Sequence, residues 1–261
     1  SGDGSVPLIG VGGPDTDLMP YAAGKWLVPL DVLYPPEVEK LYSPSLKTSM
    51  YAMGHWYASP IATLGIGGCF YRPSWLKQAG VDVPKTWEDL FDASKKMRNW
   101  AKQNIGSDTY GIVFPGLNVN FQYYLQSMTA AQGARWFDGE TWLFDTPEFK
   151  NAFSMTVNFI KEDIASQDCI NLAVWDAGRL FGLGKAAFAT GVMSSYSWQY
   201  RTQFPDVEND FVYLPPLRWS TDDPDEYQSG IVTANCLAVT KAASIENQAA
   251  ALLFIDFIRS K

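Results

Sequence analysis

Short apolar runs bounded by Gly, Pro and Asn alternate along this chain with longer stretches whose apolar residues recur at helical spacing. PLIGV at 7–11 reads as a strand, and the DLMPYAAGKWLVPLD that follows predicts a helix turning at Gly24 into an extended Trp26–Leu30 segment. HWYASPIATLGIGGCFY (55–71) is a long extended stretch, Gly-rich where a backbone bends or another chain approaches closely. PSWLKQAG ends in a Gly suited to a helix C-cap. Thr86 then caps a helix, with Asp89 three residues on and apolar positions at 87, 90, 91, 97 and 101.

YGIVF (110–114) predicts a strand, and the loop PGLNVN leads into a helix over NFQYYLQSMTAAQG. RWFDGETWLF (135–144) has two apolar runs around Asp-Gly, which predicts a β-hairpin. Thr146 and Pro147 open a helix that places 149, 153, 157, 160 and 164 on one core face. AVWDAGRLFGLGKAAFATGVMSS reads as a helix, a Gly turn and the strand AAFAT, with a polar loop SSYSW after it. FVYLPPL and IVTANCLAVT are further strands, and ENQAAALLFIDFIRS is an amphipathic helix. This alternation predicts an α/β fold with mixed sheets.

Composition narrows the possible partners. The 261 residues are 47% hydrophobic and 15% aromatic, far above a disordered chain, and allow one large domain or two small ones. A net charge of −8 without a Lys/Arg stripe excludes nucleic acid as an expected partner. The longest apolar run, AALLFI at 250–255, falls well short of the about 20 residues needed to cross a bilayer. The first residues, SGDGSVP, carry no secretion-signal pattern. Cys69, Cys169 and Cys236 lack any ligand-like spacing and read as small buried hydrophobes. His55 is alone, no GxSxG, Walker loop or HExxH element occurs, and acids such as Glu88, Asp89, Glu162 and Asp163 fall on helix surfaces. No metal, no cofactor and no enzymatic activity are therefore expected.

Four segments carry a family likeness: PDTDLMPYAAGKWLVPLD, GHWYASPIA with FYRPSWLKQAGVDVPKTWEDL, FGLGKAAFATG, and GIVTANCLAVTKAASIENQAAALLFIDFIRSK. In this order, over essentially all residues, they resemble the family 1 extracellular solute-binding proteins of bacterial ABC importers, the maltose-binding-protein-like, sugar-binding group. The resemblance implies a periplasmic-binding-protein-like fold: two α/β lobes joined by crossing hinge strands, with a ligand cleft between them. Residues 1–61 with 232–261 are expected to form the first lobe and 66–228 the second, with hinge crossings at 62–65 and 229–231. Against the family pattern, the usual opening strand–helix–strand unit and several closing helices are missing. The first lobe is thus expected to be incomplete and the chain truncated. Cys69 and Cys236, on opposite lobes, are expected to be unbonded.

Sugar capture needs flat apolar surfaces for ring faces and planar polar groups for hydroxyls. Gly13, Asp15 and Thr16 follow the first strand, where the family's first-lobe ligand loop lies, although Pro14-Asp15 equally suits a helix cap. Asn118, Asn120 and Phe121 follow YGIVF, where family members place second-lobe ligand groups, or else form an Asn-capped turn. Tyr196 and Trp198 follow AAFAT, where the family commonly offers a stacking aromatic, and are the strongest candidates. Ser229 and Gly230 bring a hydroxyl and open backbone N–H groups to the cleft, or serve a hinge. Trp87, Trp100, Trp136 and Trp142 read as structural, and Trp56 fits either role. Thr63-Leu64-Gly65 lacks the acidic residue that the family often has just after the first crossing.

The implied function is a non-enzymatic receptor that binds a carbohydrate, an oligosaccharide by expectation, and delivers it to ABC importer permease subunits. It is expected to be a monomer, periplasmic or extracellular, held at the membrane through the permease or a lipid anchor. Two alternatives stay open: the same fold serving a ferric ion (Tyr123-Tyr124), a polyamine or a glycerol phosphate, and a truncated scaffold that no longer closes.

Overall fold

The structure, a computed structural model, describes residues 6–11, 18–43, 46–47, 50–136, 141–224 and 231–260, with backbone alone for 62–66 and 231–233. It divides into two units, Ser1–Leu64 with Val232–Lys261, and Gly65–Ile231. No helix among the described residues is long and apolar enough to cross a membrane.

The first unit is built on a three-stranded sheet in the order β1-β9-β4, with β1 Leu8–Val11, β4 Ser59–Ile66 and β9 Ile231–Val239. β1 runs antiparallel to β9, pairing Leu8 with Val239 and Val11 with Cys236. Helix α1 (Met19–Ala23) ends at Gly24, and the short α2 (Pro36–Glu39) and the β2–β3 pair (Tyr51–Ala52, His55–Trp56) complete the layer before β4. Trp56 is fully buried here, stacked on Tyr34 at 4.2 Å between centroids. The unit closes with α9 (Ile245–Arg259), capped by Ser244, whose Oγ accepts from the Asn247 N–H at 3.3 Å.

The second unit has a four-stranded sheet, β6-β7-β5-β8, formed by β5 Cys69–Tyr71, β6 Tyr110–Val113, β7 Ala186–Thr190 and β8 Val212–Leu214. β6 and β7 are parallel, Val113 opposite Ala189, whereas β5 is antiparallel to both β7 and β8. β7 is AAFAT and buried throughout, as a strand covered on both faces must be. Around it lie α3 (Pro73–Ala79), α4 (Trp87–Asn104), α5 (Asn118–Ala130), α6 (Pro147–Lys161), α7 (Val174–Gly182) and α8 (Tyr196–Gln203). Gly80 ends α3 at φ +65°, and Thr86 Oγ1 accepts from the Asp89 N–H at 3.0 Å to start α4. A Cβ at Gly111 would collide with the Ser94 carbonyl, so α4 lies against β6 only because that position is glycine.

Two local expectations are corrected. The SSYSW segment is not a loop: Ser195 precedes α8, and Tyr196 and Trp198 are helical. The buried face of α6 is Ala152, Thr156 and Phe159, one position off the expected stripe. Small Ala152 and hydrogen-bonded Thr156 let the helix approach the core closely, while Phe149 and Phe153 pair with each other and with Trp136, Phe144 and Phe121 beside it. Of the expected hairpin over 135–144, the described residues show a bridge at Trp142 and a backbone bond from the Leu143 N–H to the Trp136 carbonyl at 2.8 Å, while its Asp138-Gly139 turn lies outside the described residues.

Candidate functional site

Parallel strands finish on the same edge of a sheet, so the segments leaving β6 and β7 must emerge side by side; ligands of open α/β sheets sit at such edges. Helix α7 runs back to the start of β7 through Gly184 (φ +68°), which puts the first turn of α7 at this edge too. The contacts confirm the meeting. Leu117 N–H donates to the Leu172 carbonyl at 3.1 Å, and the Val174 N–H donates to Asn120 Oδ1 at 3.2 Å. Gly191 turns the chain out of β7 at φ +67°, and a Cβ there would lie 3.0 Å from both Pro115 Cδ and Tyr124 Cβ. Segments 114–121, 167–175 and 191–198 therefore form one cluster at the carboxyl edge of β6 and β7.

Within the cluster the side chains separate into supports and exposed groups. Asn118 is held at φ +55°, a left-handed conformation that Asn tolerates better than most residues, and its side chain is exposed. Tyr196 is only 1% exposed. Its ring fills the space over Gly178, where a Cβ would collide with it, and lies 5.6 Å from Tyr200. Burial pushes its hydroxyl pKa up, and the Asp176 carboxylate adds to the shift, so Tyr196 is a neutral packing residue. Against its ring rests Trp175, 5.3 Å away and 54% exposed, at the second position of α7. Trp198 is 63% exposed on α8.

Comparison with known proteins fixes the family. The sequence pattern of the bacterial extracellular solute-binding proteins matches residues 2–261. The chain belongs to this family. It is 30% identical over 101 residues to the putative ABC transporter periplasmic-binding protein YcjN of Escherichia coli, a match covering 38% of this chain and 22% of YcjN. Maltose-bound MalE3 of T. maritima superposes with a TM-score of 0.77 at 21% identity, over 98% of this chain and 63% of MalE3. A solute-binding protein of Thermotoga lettingae bound with α-D-tagatose gives 0.81 at 18% identity, over 97% and 62%. This solute-binding protein thus spans about three-fifths of the length of those structures.

Of the expected site residues in this solute-binding protein, Gly13, Asp15, Thr16, Ser229 and Gly230 lie outside the described residues. Asn118 and Asn120 do reach the common edge, but Asn120 commits its carboxamide oxygen to the start of α7. Phe121 sits in the aromatic group around Tyr124 and Phe153. Tyr196 and Trp198, two residues apart on one helix, cannot share a face, which is why one is buried and the other exposed. Trp175 escaped the sequence reading; the available signal was that a helix returning directly into β7 must begin where β7 ends.

Elsewhere, Trp87 is fully buried while Trp142 stands exposed, stacked on Phe144 at 5.6 Å. Tyr124 is sealed in the core, with its pKa pushed up by burial. All three cysteines are free and buried, and burial raises the Cys169 thiol to about 11 and Cys236 to about 12. His55 Nδ1 lies 2.9 Å from Asp31 Oδ2, and no three His, Cys, Asp or Glu among the described residues are placed to share a metal ion. A groove of about 630 Å³ in the first unit is lined by Ile9 of β1 and by Tyr21, Lys25, Trp26 and Lys241.

Proposed function

We propose that this chain is the solute-capturing part of a carbohydrate receptor of an ABC importer, with an oligosaccharide as ligand and the permease subunits as partner. The observation that carries the reading is the convergence of 114–121, 167–175 and 191–198 at one strand edge, offering exposed indoles and the exposed carboxamide of Asn118. Indole faces suit the C–H faces of sugar rings, and carboxamides suit hydroxyl pairs. Family membership and the maltose and α-D-tagatose bound to structural neighbours support the same ligand class.

In this reading the two units are lobes, residues 62–65 and 229–231 are hinges, and Gly13, Asp15, Thr16, Ser229 and Gly230 supply the contacts opposite the described cluster. Ligand touching both lobes stabilises the closed form by contacts that exist only there, so capture is a population shift without chemistry. The receptor works as a monomer outside the cytoplasm.

A thermal-shift panel of maltose, maltotriose, α-D-tagatose, D-mannitol, ribitol, ferric citrate, spermidine and glycerol 3-phosphate tests the reading. A carbohydrate at 100 times its Kd is expected to add about 2.7 kcal/mol of stability. Stabilisation by only the iron, polyamine or phosphate compound overturns it. X-ray scattering with the bound sugar should show compaction, and unchanged dimensions would favour a non-closing scaffold.

A further inference from the structure

Trp175 combines exposure with rigidity in a way that no other aromatic of the cluster does. Its backbone is fixed from two directions: Asn120 Oδ1 accepts the neighbouring Val174 N–H at 3.2 Å, and Asp176 Oδ2 accepts the Ala173 N–H at 3.2 Å. Its ring is backed by Tyr196, itself wedged over Gly178 and against Tyr200, whose hydroxyl donates to the Gly178 carbonyl at 3.0 Å. The outer half of the indole is open. Trp198 lies on the face of α8 turned from this stack, and no ring among the described residues backs it.

We propose that Trp175 is the specificity-determining platform of the second unit, selecting ligands with a cyclic C–H face, pyranose units, over acyclic polyols. The inference rests on the carbohydrate reading and sharpens it. A rigid indole presents a flat, polarisable surface about the size of one sugar ring, and because it is already ordered its contact carries little entropic cost. An open-chain polyol has no flat face to lay on it and must be straightened to touch it. Tyr196 and Gly178 act as positioning residues that hold the ring.

The test is titration calorimetry of the wild type, Trp175→Ala, Trp175→Leu and Trp198→Ala with maltose, D-mannitol and ribitol. Maltose affinity should fall at least about tenfold in both Trp175 variants, and polyol affinity by less than about threefold; Trp198→Ala should keep the wild-type preference. The Leu variant preserves apolar bulk without a ring, and melting curves verify that each variant folds. If the wild type binds maltose and both Trp175 variants bind it equally well, the platform is refuted while the carbohydrate reading stands. If the wild type binds the polyols but not maltose, ring selection fails within a surviving carbohydrate and polyol reading. Binding of none of the three refutes ring selection, and it overturns the carbohydrate reading as well if only the iron, polyamine or phosphate compound stabilises the protein in the thermal-shift panel.

Discussion

Phe188 and Leu253 are both large apolar side chains in regular elements, yet Phe188 is sealed in the middle of β7 and Leu253 stands 72% exposed on α9. The contrast extends to their units. In the second unit, β7 is covered on both faces, and buried cations are tied to the backbone: Arg98 donates to the carbonyls of Ser107, Thr109 and Asp163, and Arg72 to Asp210 and the Asp206 carbonyl. In the first unit, α9 buries Ala251 and Ile255 but leaves Ile245, Leu253, Phe254 and Phe257 exposed. A helix that is apolar around most of its circumference contributes only one narrow face to the core present here. Exposed apolar groups in the second unit, by contrast, include Leu117, Val119, Ile170, Trp175 and Trp198 in or beside the segments that meet at the β6–β7 edge. Part of the second unit's exposed apolar surface thus gathers where strands end, whereas that of α9 is spread along a helix.

The largest expected effect separates the units directly. Phe188→Ala should cost about 3–5 kcal/mol in denaturant unfolding, because it empties a site packed on all sides. Leu253→Ala should stay within about 0.5 kcal/mol. Equal costs would erase the distinction. Next comes Gly178→Ala, which forces the Tyr196 ring to move and should destabilise by about 1–3 kcal/mol with altered near-ultraviolet circular dichroism; an unchanged spectrum would show that Tyr196 does not depend on that gap.

The smallest effect is in acid. Burial alone would raise the Asp210 pKa, but hydrogen bonds from the Ser74 hydroxyl and N–H and from the Arg72 guanidinium outweigh it and hold the carboxyl below its usual value. A depressed folded-state pKa means that stability is present above the unfolded value of about 3.9 and is lost as pH falls through the folded one. Asp210→Asn should therefore lower stability at neutral pH and flatten the decline below about pH 4; a parallel acid limb in wild type and variant contradicts the assignment.

Much of this was legible before the structure. Thr86, Thr146 and Gly80 mark helix ends by chemistry that acts within a turn, and each does so in the structure. The alternation of strands and helices carried the fold class, and the ordered segments carried the family. The α6 face was misread because spacing identifies a stripe of apolar residues but not whether a small Ala or a large Phe will meet the sheet.

The site shows the same boundary. Local sequence determined that chain leaves β6 and β7 through Asn, Gly and Ser, residues that tolerate exposed turns and left-handed backbone. Only the tertiary structure decided that Tyr196 is a buried support and that Trp175, about twenty residues earlier, rests on it with its outer face open. Caps and turns are settled by bonds between residues a few positions apart, but which ring lies on which is settled by how whole strands and helices pack, and that information is spread across the chain.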